Sequence, residues 1–150
     1  MKLFLKNPFV LMLLCLMAGM FMTISFLETP MKFQVPRITL STALGLGKLM
    51  FGISTKMQNL FLGLILVFMM LSRENYTKSD FSIIIVLIIL LSVQQFWMLP
   101  VLEMRVDLLT SGKSLPSSPM HDYFIYTEAV KAILMIAAII LQFKKQPNEY

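Results

Sequence analysis

The chemistry available to this chain gathers around Glu128 and Lys131, two charged residues inside its last long apolar run, Tyr123 to Phe143 (YFIYTEAVKAILMIAAIILQF). At ~1.5 Å of rise per residue, Lys131 lies roughly 12 Å along such a helix from Tyr123, already within the hydrocarbon layer. An ionised group there costs at least ~2.5 kcal/mol, so both side chains are expected to turn inward and find partners. Their i,i+3 spacing puts them on one helical face, where opposite charges partly neutralise each other. The pair is either a structural device that fixes helix register or the centre of a polar site for a ligand, an ion or a proton.

The remaining polar residues of unusual position fall in the same half of the membrane. Glu28 ends the first apolar run, Lys48 and Asn59 lie around the start of the second, Gln94, Gln95 and Arg105 end the third, and His121 opens the fourth. The opposite half is almost pure Leu, Ile, Met, Phe and Ala. This asymmetry predicts a polar pocket open to one face and closed toward the other, with Glu128 paired to Lys131 or Lys48 and Glu28 to Lys32 or Arg105. A continuous channel has no polar lining to use in the apolar half.

Composition sets the class of protein. Of the 150 residues, 57% are hydrophobic and 14% charged, with a mean hydropathy of +0.77. A soluble domain of this size would expose a prohibitively apolar surface, so the chain is expected to be a single all-α membrane domain. The net charge of +5 comes from basic residues scattered between the apolar runs, which fits membrane orientation and gives no nucleic-acid surface. The single Cys15 excludes an intramolecular disulfide or a CxxC redox pair. The fourteen methionines sit within apolar runs without repeated M-x-x-M clusters and are expected to pack.

Four spans follow, at about 8–27, 56–72, 81–100 and 122–143. The first begins like a signal peptide but lacks a small-x-small cleavage site, so it is expected to be retained. It is expected to stop at Glu28-Thr29-Pro30, and Pro30 and Pro36 keep the following MKFQVPRITL from being one continuous helix, so that segment, with Lys32 and Arg37, reads as an ordered loop at the membrane surface. Thr55-Lys56-Met57-Gln58 has the T-x-x-Q form of a capping box, which predicts a helix start there and a separate short interfacial or re-entrant helix over 42–53. One long helix from Thr42 is the alternative. Pro100 is expected to kink the third span, which continues through Glu103, Arg105 and Asp107. Ser118-Pro119 is a favourable start for the fourth.

With four spans both termini share a side. Lys2, Lys6, Arg73, Lys78, Lys144 and Lys145 fall there, against Lys32, Arg37, Arg105 and Lys113 opposite, and six against four favours cytoplasmic termini in an inner membrane.

No catalytic site is expected. There is no Ser-His-Asp arrangement, phosphate loop or H-E-x-x-H. His121 is the only histidine, so a bis-histidine haem cannot form in one chain and zinc would need carboxylates such as Glu28 or Glu128. The expected partner is the lipid bilayer, with a second copy or another membrane protein also open and no cofactor. Two further readings stay open: a small oxidoreductase or haem-handling protein, and an oligomeric proton- or ion-coupled transporter.

The stretches SFLETPMKF (Ser25 to Phe33), GLGKLMF (Gly45 to Phe51), Gln94-x-Phe96-Trp97-x-x-Pro100 and His121-x-x-Phe124-x-x-x-Glu128-x-x-Lys131 resemble an uncharacterised family of small four-span bacterial membrane proteins over nearly the whole length. The resemblance implies the architecture, and that Glu28, Lys32, Lys48, Glu128 and Lys131 belong to a shared pattern. The layout is remotely similar to four-span haem-linked and copper-resistance proteins, but the haem-binding ones generally use a histidine in a helix near the chain start, which this first span lacks.

Overall fold

A computed structural model describes residues 3–145. Four helices are long and apolar enough to cross a membrane: α1 (Pro8–Lys32), α2 (Leu40–Leu71), α3 (Lys78–Thr110) and α4 (Met120–Ile140). They pack as an all-α bundle. A short antiparallel ribbon, β1 (Leu3–Leu5) with β2 (Phe143–Lys145), ties the first and last described segments together. Both strands therefore lie at one end of the bundle, the ribbon end, and the 33–39 and 111–119 connections lie at the other.

Local chemistry starts each helix. The Asn7 side chain accepts from the backbone N–H groups of Phe9 and Val10, with Pro8 in the first turn. Thr39 accepts from the Thr42 N–H. Thr77 and Asp80 form a reciprocal capping box at the start of α3. Ser118 Oγ accepts from the Met120 N–H at the start of α4.

Two prolines shape the interior of α1 and α3. Proline has no N–H to give the carbonyl four residues earlier, and its ring crowds that carbonyl. Both helices answer by widening into a π-helical stretch just before the proline, Thr23–Glu28 before Pro30 and Gln94–Met98 before Pro100. In each case the residue preceding the proline, Thr29 or Leu99, donates its N–H five residues back, to Ile24 or Gln94. The first span therefore does not stop at Leu27 as expected; it passes through Pro30 to Lys32.

The second correction concerns α2. Leu40–Leu71 is one helix of 32 residues, so the separate helix over 42–53 and a span beginning at Lys56 are both replaced by the long-helix alternative. The T-x-x-Q residues cap nothing: Gln58 Nε2 donates to Ser54 Oγ, and the Thr55 carbonyl accepts from Asn59 Nδ2. In lipid a freed backbone group finds no water, so the helical ladder persists through Gly45, Gly47 and Gly52 despite their low propensity.

At ~1.5 Å per residue, α2 and α3 are each about 50 Å long, more than the ~30 Å hydrocarbon layer requires. The N-terminal part of α2 and the C-terminal part of α3 pair through Lys48 and Asp107 at 2.9 Å.

The main core lies toward the ribbon end, where Val10, Leu14, Met17 and Phe21 of α1 meet Leu62, Ile65 and Met69 of α2, Ile84, Leu87 and Leu91 of α3, and Met135 and Ala138 of α4. The outward residues, among them Phe9, Leu16, Leu60, Val67, Ile89 and Ile133, are large and apolar, as a lipid-facing surface requires.

The ribbon end is not purely apolar, contrary to the sequence expectation. Lys6 Nζ is held by Asp80 at 2.7 Å, Asn75 Nδ2 donates to the Lys6 carbonyl, and the Tyr76 hydroxyl donates to Gln142 Oε1 at 3.0 Å. Burial pushes the Tyr76 phenol up to about 12.

Candidate functional site

Glu128 and Lys131 lie about 12 and 16 Å into α4 from Met120 at the helical rise. Both are buried, Lys131 to 2% exposure. Lys131 Nζ contacts Glu128 Oε1 at 2.7 Å, the pairing that their spacing predicts. It also donates to Gln58 Oε1 at 3.0 Å and sits 4.8 Å from the centre of the Phe21 ring.

The carboxylate is held from two further helices. Gln94 Nε2 of α3 donates to Glu128 Oε1 at 2.7 Å, and Ser25 Oγ of α1 donates to Oε2. Ser25 lies in the π-helical stretch before Pro30, and Gln94 opens the one before Pro100. The two widened turns thus deliver the two donors that flank the buried carboxylate. Gln58 and Ser54 of α2 complete a network in which all four helices take part. A buried charge needs this degree of satisfaction, because an unpaired one costs several kcal/mol.

On the core side of this network is close-packed apolar material, and on the loop side is a cavity of about 570 Å³. Ser25 and Glu128 belong to its lining. The walls are mostly apolar, with Phe26, Phe33, Leu44, Phe51, Leu102 and Phe124 prominent. Phe51 and Phe124 meet edge to face at 5.1 Å. The charged lining residues are Lys32, Lys48 and Arg105 against Glu103 and Glu128.

The nine residues singled out from sequence divide into three groups. Lys48, Arg105, His121 and Glu128 line the cavity; Lys48 is paired with Asp107, and Arg105 donates to the Pro116 carbonyl. Gln94 and Lys131 sit in the network beneath it. The other three are not in the cavity lining: Glu28 pairs with Lys32 at 3.6 Å, one of its two expected partners, while Asn59 and Gln95 bond to each other at 2.6 Å between α2 and α3. Among the described residues, no three His, Cys, Asp or Glu side chains converge as metal ligands.

Among the cavity residues that the sequence-derived site leaves out, Lys32 and Gly47 bear most on its chemistry. Lys32 is 6% exposed, with its ammonium 5.6 Å from the ring centres of both Phe33 and Phe51. It passes so close to α2 that a Cβ on Gly47 would lie 2.6 Å from Nζ. The signal for this was a lysine four residues after a glutamate in a segment read as a surface loop. A helix through Pro30 turns that spacing into one buried face. Ser25 and Gln58 were equally hidden, because their orientation depends on the π-helical stretch and on an unbroken α2.

No protein-family model, no curated protein and no solved structure matches the chain.

Proposed function

We propose that this is a multi-pass protein of the bacterial inner membrane that holds a small, largely apolar ligand in the cavity at its loop end. The observation that carries the reading is the cavity: about 570 Å³, walled by aromatic and aliphatic side chains, with a few polar groups converging at its floor. That volume and lining are those of ligand pockets, which span ~300 to 1,000 Å³ and use few polar groups for orientation. The floor supports binding over conduction, since a closed network and a packed core separate the cavity from the ribbon end.

The excess of Lys and Arg near the ribbon end supports a cytoplasmic location for it, which would turn the cavity outward. Kinship with the small four-span bacterial membrane proteins, through SFLETPMKF and the Glu128 and Lys131 pattern, belongs to the same proposal. So does a role beside a second copy or another membrane protein, with the ligand passed or sensed and no bond made or broken.

The test is native mass spectrometry of the protein released from membranes in mild non-ionic detergent, compared with Leu44→Trp, which pushes an indole into the cavity from its wall. An adduct on the unmodified protein that Leu44→Trp loses is expected. A protein that emerges without adduct, or one whose adduct is unchanged by the indole, overturns the reading.

A further inference from the structure

Lys32 is an ammonium with unmet donors at the wall of an apolar cavity. It is 6% exposed, its nearest carboxylate oxygen lies at 3.6 Å, beyond hydrogen-bond length, and among the described residues it donates no hydrogen bond. An ammonium has three donors, and one buried without acceptors is costly. Lys6 has Asp80, and Lys131 has Glu128 and Gln58, whereas Glu28, the counterion of Lys32 at 3.6 Å, reaches it only loosely and keeps its other carboxylate oxygen buried without a hydrogen bond. Lys32 is instead held over two phenyl faces, in space that the missing Cβ of Gly47 leaves open. Aromatic faces stabilise a cation without using its hydrogen-bond donors, so those donors are kept for something else.

Resting on the reading of the cavity as a ligand site, we propose that its ligand is an anionic amphiphile with one hydrocarbon chain. The phosphate or carboxylate head is held by Lys32, and the chain runs along the Phe26, Leu44, Phe51 and Phe124 wall. Charge complementarity selects the sign. Glu128, the carboxylate at the floor, already has Lys131 as counterion, so it has no charge left for a cationic ligand. Lys32 donates no hydrogen bond to its counterion Glu28, and the lining as a whole sets Lys32, Lys48 and Arg105 against Glu103 and the already neutralised Glu128, which leaves it positive although Lys48 is itself paired with Asp107. The walls select the chain, since a free inorganic anion would leave this apolar surface uncovered. The volume suits one chain of drug-like size.

The experiment adds dodecyl phosphate, dodecyltrimethylammonium, dodecanol and inorganic phosphate separately to the whole protein in non-ionic detergent, counting bound probes by native mass spectrometry. Dodecyl phosphate is expected to bind in preference to the other three. Lys32→Met is expected to weaken it at least ~10-fold, the scale of one charge-assisted hydrogen bond. Gly47→Ala is expected to weaken it as well by displacing the Lys32 head, and this milder change serves if Lys32→Met does not fold. Equal binding of the ammonium or alcohol probe, abolished by Leu44→Trp, overturns the anionic head while leaving a ligand cavity. Inorganic phosphate binding as well as dodecyl phosphate overturns the hydrocarbon chain. No binding of any probe overturns the cavity reading too.

Discussion

Neutralising Glu128 and Lys131 one at a time and then together measures what the buried pair does. At 2.7 Å and an effective dielectric constant of ~20, Coulomb's law gives roughly 6 kcal/mol of attraction. Desolvation of the two ions takes back several kcal/mol each, so the pair as a whole is close to neutral for stability, while either ion alone is not. Glu128→Gln keeps the shape: its oxygen can still accept from Lys131 and Gln94, and its amide can donate to Ser25. Lys131→Met keeps the stem and leaves Gln58 Oε1 unpaired. Each single change is expected to cost about 3–5 kcal/mol, and the double variant less than either, which makes the coupling larger than ~3 kcal/mol. Ordinary interhelical polar contacts in membranes couple by only ~0.6 kcal/mol, up to ~1.7, so the magnitude separates a charge pair from a generic hydrogen bond. The assay is reversible unfolding in mixed dodecyl maltoside and SDS micelles, followed by far-ultraviolet circular dichroism and by the single Trp97. Singles that add to within ~0.5 kcal/mol in the double variant would refute the reasoning.

Two further outcomes follow from the helix shape and the ribbon end. Pro100→Ala removes the cause of the widened turn, so α3 is expected to relax and withdraw Gln94 from Glu128, losing about 1.5–3 kcal/mol. The loss is expected not to add to that of Gln94→Leu, and full additivity in the same unfolding assay would show that the proline does not position Gln94. Tyr76 holds its proton more tightly in the folded chain, where its pKa is about 12 against an ordinary 10.0. Its contribution is therefore fully present below pH 10 and is lost as the pH rises to about 12. The stability difference between the unmodified protein and Tyr76→Phe is expected to be flat below pH 10 and to fall above it; a difference that stays flat to pH 12 removes the argument.

The apolar runs announce the four spans because length and hydropathy are local properties, and the Glu128 and Lys131 pairing follows from spacing on one helix. What sequence could not give was the behaviour of breakers inside a bilayer. Pro30 and the T-x-x-Q segment carry the signals of helix ends, yet both lie within helices, since lipid offers backbone groups no alternative to the helical ladder. That one substitution of rule misplaced Lys32 in a loop and split α2. Ser25 was missed because a π-helical stretch shifts every later side chain around the axis, and no periodicity argument at 3.6 residues per turn anticipates it. Gln95, chosen beside Gln94, fell outside the bundle interior for the same reason that made Gln94 central: neighbours on a helix point in different directions.

The pairing of Leu3–Leu5 with Phe143–Lys145 joins the earliest and latest described residues of the chain. Spans enter a membrane in the order of synthesis, N-terminal first, so this contact has to wait for the segment that follows α4. Until α4 is seated, β1 is an unpaired edge, Lys6 lacks the Gln142 carbonyl for its N–H, and Tyr76 lacks its acceptor. A chain in which α4 is not seated therefore leaves a bare strand edge and two unmet polar groups together at the membrane surface, and the docking of that one helix covers all three.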